Sequence, residues 1–176
     1  MRNKIKKFIG VGTCFEYDLS KSLMSIETPI KPSTIYAQSK ASLYFLATKL
    51  FSQTNIDFSW CRLFYLYGEG ENKRRLVPYV KSQLNKKRKV KLTNGKFVRD
   101  FLNVKEVANQ IVTVVFNNQN GPINICSGKA ITIRDFVEKI ALQYNGLHLL
   151  KFGSKIKNKV DPPSIVGVPN LRNLDI

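Results

Sequence analysis

Apolar and polar residues follow one another along the chain in blocks that favour strands and helices in turn. Apolar, β-branched runs predict strands at 5–12, 57–65 and 121–126. Apolar residues at helical spacing predict helices at 34–53, 75–86, 104–116 and 132–141. Thr132 is placed to cap the last helix, with Asp135 three residues on, as in a capping box. This alternation indicates an α/β fold with a partly parallel sheet.

Turn and loop signals separate these elements. Pro29 and Pro32 break any periodicity across 18–33, which predicts a loop. The turn sequence "T-N-G-K" at 93–96 lies between the segments 89–92 and 98–102, a pattern that predicts a hairpin. Gly, Glu and Arg cluster at 67–75, where we place a boundary within the chain.

Composition adds a strong positive charge to this pattern. The chain has 29 Lys and Arg against 12 Asp and Glu, a formal net charge of +17. Such a field attracts nucleic acid, anionic surfaces and phosphate-rich small substrates. The basic run "L-N-K-K-R-K-V-K" at 84–91 makes a nucleic-acid-binding protein the alternative hypothesis. However, the run follows a predicted helix and leads into a predicted strand, which favours a solvated helix end.

Several classes of protein are excluded by the composition. With 43% hydrophobic residues, the 176-residue chain can bury a core, so disorder is not expected. Cys14, Cys61 and Cys126 lie far apart, and His148 is the one histidine, so neither a disulfide framework nor a metal site is predicted. A reducing, cytoplasmic location follows from this cysteine usage. No run of 18 uncharged apolar residues predicts a membrane span.

Tyr36 and Lys40 are the candidate acid–base pair. They are four residues apart in a predicted helix, so both side chains address one site. A nearby cation favours the phenolate form of a tyrosine, which makes it usable as an acid or a base. Thr13 follows the first predicted strand, and open α/β sheets place their sites at the carboxyl ends of their strands.

Five stretches of the chain form an ordered series of motifs. They are "F-I-G-V-G-T-C-F-E-Y-D" (8–18), "Y-A-Q-S-K" (36–40), "R-L-F-Y-L-Y-G-E-G" (62–70), "V-R-D-F-L-N-V-K-E-V-A" (98–108) and "G-P-I-N-I-C-S-G-K-A-I-T-I-R-D-F" (121–136). Together they cover about residues 8 to 140. In this order they resemble motifs of the NAD-dependent epimerase/dehydratase family, the extended short-chain dehydrogenases that act on sugar nucleotides.

The resemblance implies a role for each candidate residue. Tyr36 would be the acid/base, and Tyr36 and Lys40 would both bind the cofactor, NAD or NADP, with Lys40 at its nicotinamide ribose. Thr13 would bind the sugar at the reacting carbon. Arg99, with Arg75 or its neighbour Arg74, would bind the diphosphate of a nucleoside-diphosphate sugar, since guanidinium groups match phosphate oxygens bidentately. A surface arginine paired with Asp100 is the alternative for Arg99.

The resemblance also implies an architecture and a range of reactions. Residues 1–68 would form the later part of a Rossmann-like domain. Residues 69–176 would form mainly a substrate-binding lobe, with about 97–120 returning to the core. Cys14 and Phe15 stand where the family's dehydratases carry an Asp-Glu pair, which leaves a sugar-nucleotide epimerase or a 4-keto reductase.

The cofactor-binding half of the family pattern is missing. No G-x-x-G-x-x-G follows a first strand, and no acidic residue is placed for the adenosine ribose. We therefore expect a truncated or split gene product, inactive alone, whose partner is a complementing N-terminal chain or a second copy in a homodimer. A remnant that binds the sugar nucleotide without catalysis is the further alternative.

Overall fold

The computed structural model describes residues 5–155 and 161–173. Its α-helices are α1 (Ile35–Phe51), α2 (Leu76–Asn85), α3 (Val104–Phe116) and α4 (Ile133–Leu142). Its strands are β1 (Lys7–Thr13), β2 (Leu23–Met24), β3 (Asp57–Leu63), β4 (Tyr65–Tyr67), β5 (Val90–Lys91), β6 (Val98–Arg99), β7 (Phe101–Asn103), β8 (Gly121–Ile125), β9 (Ile131–Thr132), β10 (Leu150–Lys151) and β11 (Ser164–Gly167). Short 3₁₀ turns occupy Cys14–Glu16 and Leu147–Leu149.

A parallel sheet in the order β1-β3-β8 carries helices on both faces. On one face, Tyr44 of α1 packs against Trp60 of β3, with ring centroids 5.6 Å apart. On the other face, Val114 of α3 belongs to the same buried cluster as Cys61, the next residue of β3. Consecutive strand residues point to opposite faces, so α1 and α3 enclose the sheet between them. The predicted α/β fold with parallel strand order is confirmed.

The remaining strands form smaller sheets beside this one. β4 pairs with β7 and β5 with β10, both in parallel. β11 lies between β2 and β6, and β6 pairs antiparallel with β9. Helices α2 and α4 pack on each other around Val80 and Val137, which are fully buried. Arg74 and Arg75, which precede α2, and Phe101, which follows β6, line the same cavity.

The predicted helices are confirmed, and Thr132 caps α4 by accepting a hydrogen bond from the Asp135 amide at 3.0 Å. The predicted strand at 57–65 divides into β3 and β4.

The predicted hairpin across 93–96 is wrong. Gly95, at a φ of +73°, lies against the start of α4, where its carbonyl accepts from the Arg134 amide at 3.0 Å. The turn is therefore used to seat a helix, and its flanking strands β5 and β6 belong to different sheets.

β1 forms an open edge of the parallel sheet in the described part of the chain. The Lys6 carbonyl accepts from the Asp57 amide of β3, so Ile9 and Val11 direct their backbone groups away from β3. Phe8 and Val11 remain 44% and 41% exposed.

The basic run at 84–91 spans the end of α2, an exposed connection and β5, as predicted for a helix end that leads into a strand. None of the helices in the described ranges has the length and apolar character of a membrane span.

Candidate active site

Thr13 ends β1 and begins the tight turn Cys14–Glu16. Its backbone is extended, and its Oγ1 accepts a hydrogen bond from the Phe15 amide at 3.4 Å. Its own amide donates to Oε1 of Glu16 at 2.8 Å, which completes a capping box. The Thr13 side chain is buried and also forms a hydrogen bond with Cys14.

Tyr36 and Lys40 lie in the first turns of α1, which contacts both β1 and the turn after it. Thr34 starts this helix by accepting from the Ala37 amide at 3.1 Å. Tyr36 is 56% exposed. Lys40 Nζ donates to the Val11 carbonyl at 2.9 Å, two residues before Thr13. The lysine therefore ties α1 to the open edge of β1 next to Thr13.

A cavity of about 450 Å³ lies between β4, α2 and β6. The two arginines predicted to bind substrate, Arg75 and Arg99, both line it. Thr13, Tyr36 and Lys40 are not among its lining residues. The cationic residues of the lining are Arg74, Arg75, Lys91, Arg99 and Lys155.

Arg99 is built into the cavity wall. It is only 2% exposed, and its Nη1 donates to the Val98 carbonyl at 2.7 Å. Its guanidinium carbon lies 5.0 Å from the centre of the Phe97 ring and 5.2 Å from that of Tyr65. The alternative of a surface arginine paired with Asp100 is wrong, because Arg99 is buried and held by these rings and the carbonyl.

Asp100 has a separate structural role. It is fully buried, and its carboxylate accepts from the Ser127 amide and hydroxyl at 2.8 and 2.6 Å. It also accepts from the amides of Gly128 at 2.9 Å and Gly167 at 3.2 Å. The carboxylate thus fastens the segment after β8 and the end of β11 to the strand that carries Arg99.

Burial in this region favours the neutral forms of its acidic groups. Desolvation raises the pKa of Tyr65 to about 12, although Arg99 opposes the shift. Desolvation also raises the pKa of Glu71, against the effect of Arg75, whose Nε lies 3.8 Å from Oε1 of Glu71. At neutral pH Tyr65 is therefore a neutral phenol that can donate a hydrogen bond into the cavity.

The cavity adjoins the turn that carries Thr13. The rings of Phe15 and Tyr65 make an edge contact, with centroids 6.0 Å apart. The turn after β1 and the arginine cavity are thus neighbours across one aromatic pair.

Cys14 and Phe15, where the resemblance implies an Asp-Glu pair in dehydratases, are unsuited to acid–base work. Cys14 is 1% exposed, and desolvation raises the pKa of its thiol to about 12. Phe15 has no titratable group.

Glu16 was missed by reasoning from the sequence. It is fully buried and accepts from the Thr13 amide, Trp60 Nε1 and Arg62 Nε. Arg62 Nη1 donates to the Tyr17 hydroxyl at 3.1 Å. The spacing T-x-x-E at 13–16 is the capping-box signature that could have indicated the first of these contacts.

Comparison with known proteins gives the family. The model described as the NAD dependent epimerase/dehydratase family matches residues 1–126, well over half of the chain. The chain belongs to this family of sugar-nucleotide epimerases and dehydratases.

Two curated relatives act on different sugar nucleotides. CDP-abequose synthase of Salmonella typhimurium is 33% identical over 88 residues, which are 47% of this chain and 29% of that protein. The dTDP-6-deoxy-L-talose 4-dehydrogenase (NAD(+)) of Aggregatibacter actinomycetemcomitans is 25% identical over 146 residues, 80% of this chain and 53% of that protein.

Solved structures share the Rossmann-like fold. The UDP-N-acetylglucosamine 4-epimerase of Methanobrevibacter ruminantium, in complex with UDP-N-acetylmuramic acid, has a TM-score of 0.85 at 22% identity, over 95% of this chain and 55% of that one. The UDP-glucose 4-epimerase of Thermotoga maritima, with UDP-glucose, has a TM-score of 0.83 at 16% identity, over 93% and 55%. The chain thus spans about half the length of these proteins.

Proposed function

We propose that the chain binds a nucleoside-diphosphate sugar, with the diphosphate at Arg99 and Arg75 and the sugar at Thr13. The observation that carries the proposal is the cavity in which both arginines meet beside the Thr13 turn. Arginine guanidinium groups suit phosphate oxygens because their paired N–H groups match two oxygens at once. Arg99 is held in place before any ligand arrives, which lowers the entropy cost of binding.

The reaction proposed for this site is that of an epimerase or a 4-keto reductase. Thr13 donates a hydrogen bond from its hydroxyl to the sugar oxygen, and Tyr36 takes or returns the proton of that sugar hydroxyl. Lys40 lies one helical turn after Tyr36, and its ammonium keeps two N–H donors beyond the one used by Val11. NAD or NADP, when bound, supplies the hydride acceptor and donor.

The residues present fit only part of a dinucleotide. Tyr36 and Lys40 would bind the nicotinamide ribose, but the sequence offers no Gly-rich loop for the pyrophosphate. We therefore propose that the chain by itself binds NAD weakly or not at all. Calorimetry that finds micromolar binding of NAD to the purified chain contradicts this.

The same proposal assigns the open edge of β1 to a complementing stretch of polypeptide that supplies the cofactor-binding half. Two facts support it: no strand pairs with the outward edge of β1 in the described part of the chain, where Phe8 and Val11 are exposed, and the chain spans about half of its relatives. An exposed apolar edge strand associates readily with another strand.

Isothermal titration with UDP-, dTDP- and CDP-glucose, each beside its free nucleoside diphosphate, tests the binding function. The proposal predicts that at least one pair binds and that the free diphosphate competes with its sugar. A nucleic-acid-binding protein would instead retain none of these ligands and bind oligonucleotides with a steep salt dependence.

A further inference from the structure

The buried carboxylate of Glu16 lies directly behind Thr13, and neither acid–base chemistry nor phosphate binding uses it. Resting on the proposed function, we propose that Glu16 is a positioning residue that sets the direction of the Thr13 hydroxyl and thereby the affinity for the sugar part of the substrate.

The first step of the argument is the link from Glu16 to Thr13. Oε1 of Glu16 holds the Thr13 amide at 2.8 Å and so closes the turn Cys14–Glu16. This turn brings the Phe15 amide to Thr13 Oγ1. Since the amide occupies one lone pair of the hydroxyl oxygen, it restricts where the hydroxyl proton can point. Glu16 therefore acts on the hydroxyl through the geometry of the turn.

The second step is that Glu16 is itself held rigidly. Trp60 Nε1 donates to both carboxylate oxygens, at 3.2 and 3.1 Å, and Arg62 Nε donates to Oε2 at 2.7 Å. Gly12 completes the fit, because a Cβ at this position would collide with Oε1 of Glu16 and Nε1 of Trp60. The carboxylate thus has a fixed position below the end of β1.

The third step is that the network continues beyond the turn. The Tyr17 hydroxyl accepts from Arg62 and donates to Oδ1 of Asn124 at 2.7 Å. The amide nitrogen of Asn124 donates to the carbonyls of Met24 at 3.0 Å and Val168 at 3.1 Å. The Thr13 turn is therefore braced against β2 and the segment after β11.

Burying an ion pair to hold a turn costs desolvation free energy. Glu16 and Arg62 are 0% and 1% exposed, and Arg62 Nη2 is buried without a partner in the described part of the chain. Replacing such a pair with apolar residues is often neutral or stabilising in other proteins. Directional control of Thr13 is a property that apolar packing would not provide.

The test compares affinity for a nucleotide sugar with affinity for the free diphosphate, using whichever of the UDP-, dTDP- or CDP-glucose pairs the wild-type chain binds best. Thr13 contacts only the sugar, so Glu16→Gln should weaken the nucleotide sugar about tenfold, the size of one hydrogen bond. Affinity for the free diphosphate should change by less than about twofold. The affinity ratio is the affinity for the nucleotide sugar divided by that for the free diphosphate. In a Thr13→Val background, Glu16→Gln should not change this ratio further, because the Thr13 hydroxyl that Glu16 directs is gone.

Two conservative variants keep the test decisive if Glu16→Gln does not fold. Trp60→Phe removes the indole donor to Glu16, and Tyr17→Phe removes the hydroxyl that braces Arg62. Both variants, like Glu16→Gln, should lower the affinity for the nucleotide sugar relative to that for the free diphosphate. Val114→Ala, which opens the core on the other face of the sheet, should lower stability and leave the ratio unchanged.

Equal losses for the sugar nucleotide and the diphosphate would overturn the positioning role, as would additive effects of Glu16→Gln and Thr13→Val. In either case the proposed binding function would stand. A wild-type chain that binds none of the sugar nucleotides would overturn both.

Discussion

Substituting Arg62 with methionine leaves the Glu16 carboxylate buried without its cation. The two side chains meet at 2.7 Å with almost no exposure to solvent, so water cannot replace the lost partner. Removing one member of such a pair costs about 3–5 kcal/mol. Because domains of this size are stable by only about 5–15 kcal/mol, the variant should lose a large share of its stability.

Urea unfolding measures this loss, and the chain carries its own probe. Trp60 is the single tryptophan, is 1% exposed, and donates to Glu16. With a urea slope of about 2 kcal/mol per molar, the Arg62→Met midpoint should fall by about 2 M. The double variant Glu16→Leu with Arg62→Met removes both charges and should recover much of the midpoint.

The reasoning fails if the Arg62→Met midpoint lies within about 0.5 M of wild type, which corresponds to a loss of only about 1 kcal/mol. It fails equally if the double variant is as unstable as the sum of the two single variants. Either result would mean that the buried charge is relieved by another route.

Further predictions concern the helix cap, the buried carboxylate and the thiols. Thr34→Ala should cost about 1 kcal/mol in thermal unfolding, and Thr34→Ser should restore most of it, because the α1 cap accepts from an amide. Asp100→Ala should cost about 2–4 kcal/mol, because the amides it binds lose their acceptor; an unchanged melting temperature would contradict this. Folding raises the thiol pKa from 9.0 to about 12 for Cys14 and Cys126 and about 11 for Cys61, so the unfolded chain releases protons first. Stability present below pH 9 should therefore decline as pH rises towards 12. Native thiols should stay unreactive to Ellman's reagent at pH 8, and fast reaction in the folded state would refute the burial argument.

Most of the helices and strands could be predicted from the sequence, but fewer of the tertiary contacts could. Helical periodicity located α3, whose Val107 and Val114 meet the core. It also located α1, but there the apolar spacing did not mark the buried face, because Leu46 and Leu50 are more than half exposed. The buried residues of α1 are the alanines at 37, 41 and 47. The turn at 93–96 was wrongly predicted to form a hairpin. Its Gly95 carbonyl instead accepts from the Arg134 amide at the start of α4, a contact 39 residues away that no local pattern encodes.

In the candidate site, too, some residues could be predicted from the sequence and others could not. Arg99 and Arg75 could be singled out from motifs, and the fold does bring them to one cavity. The contacts of Glu16 with Trp60 and Arg62 span 44 and 46 residues, so only the register of β1 and β3 creates them. A buried glutamate also runs against composition rules, which place such residues at the surface unless they are paired.

The most direct test of the proposed function is calorimetric binding of the preferred nucleotide sugar to wild type, Arg99→Lys and a matched control. Arg134→Met is the control, because Arg134 is also stacked on an aromatic ring but does not line the cavity. Arg99→Lys keeps the charge and loses the paired N–H groups, so affinity should fall about 30-fold or more while the control binds normally. Equal affinity of wild type and Arg99→Lys would contradict the placement of the diphosphate at Arg99.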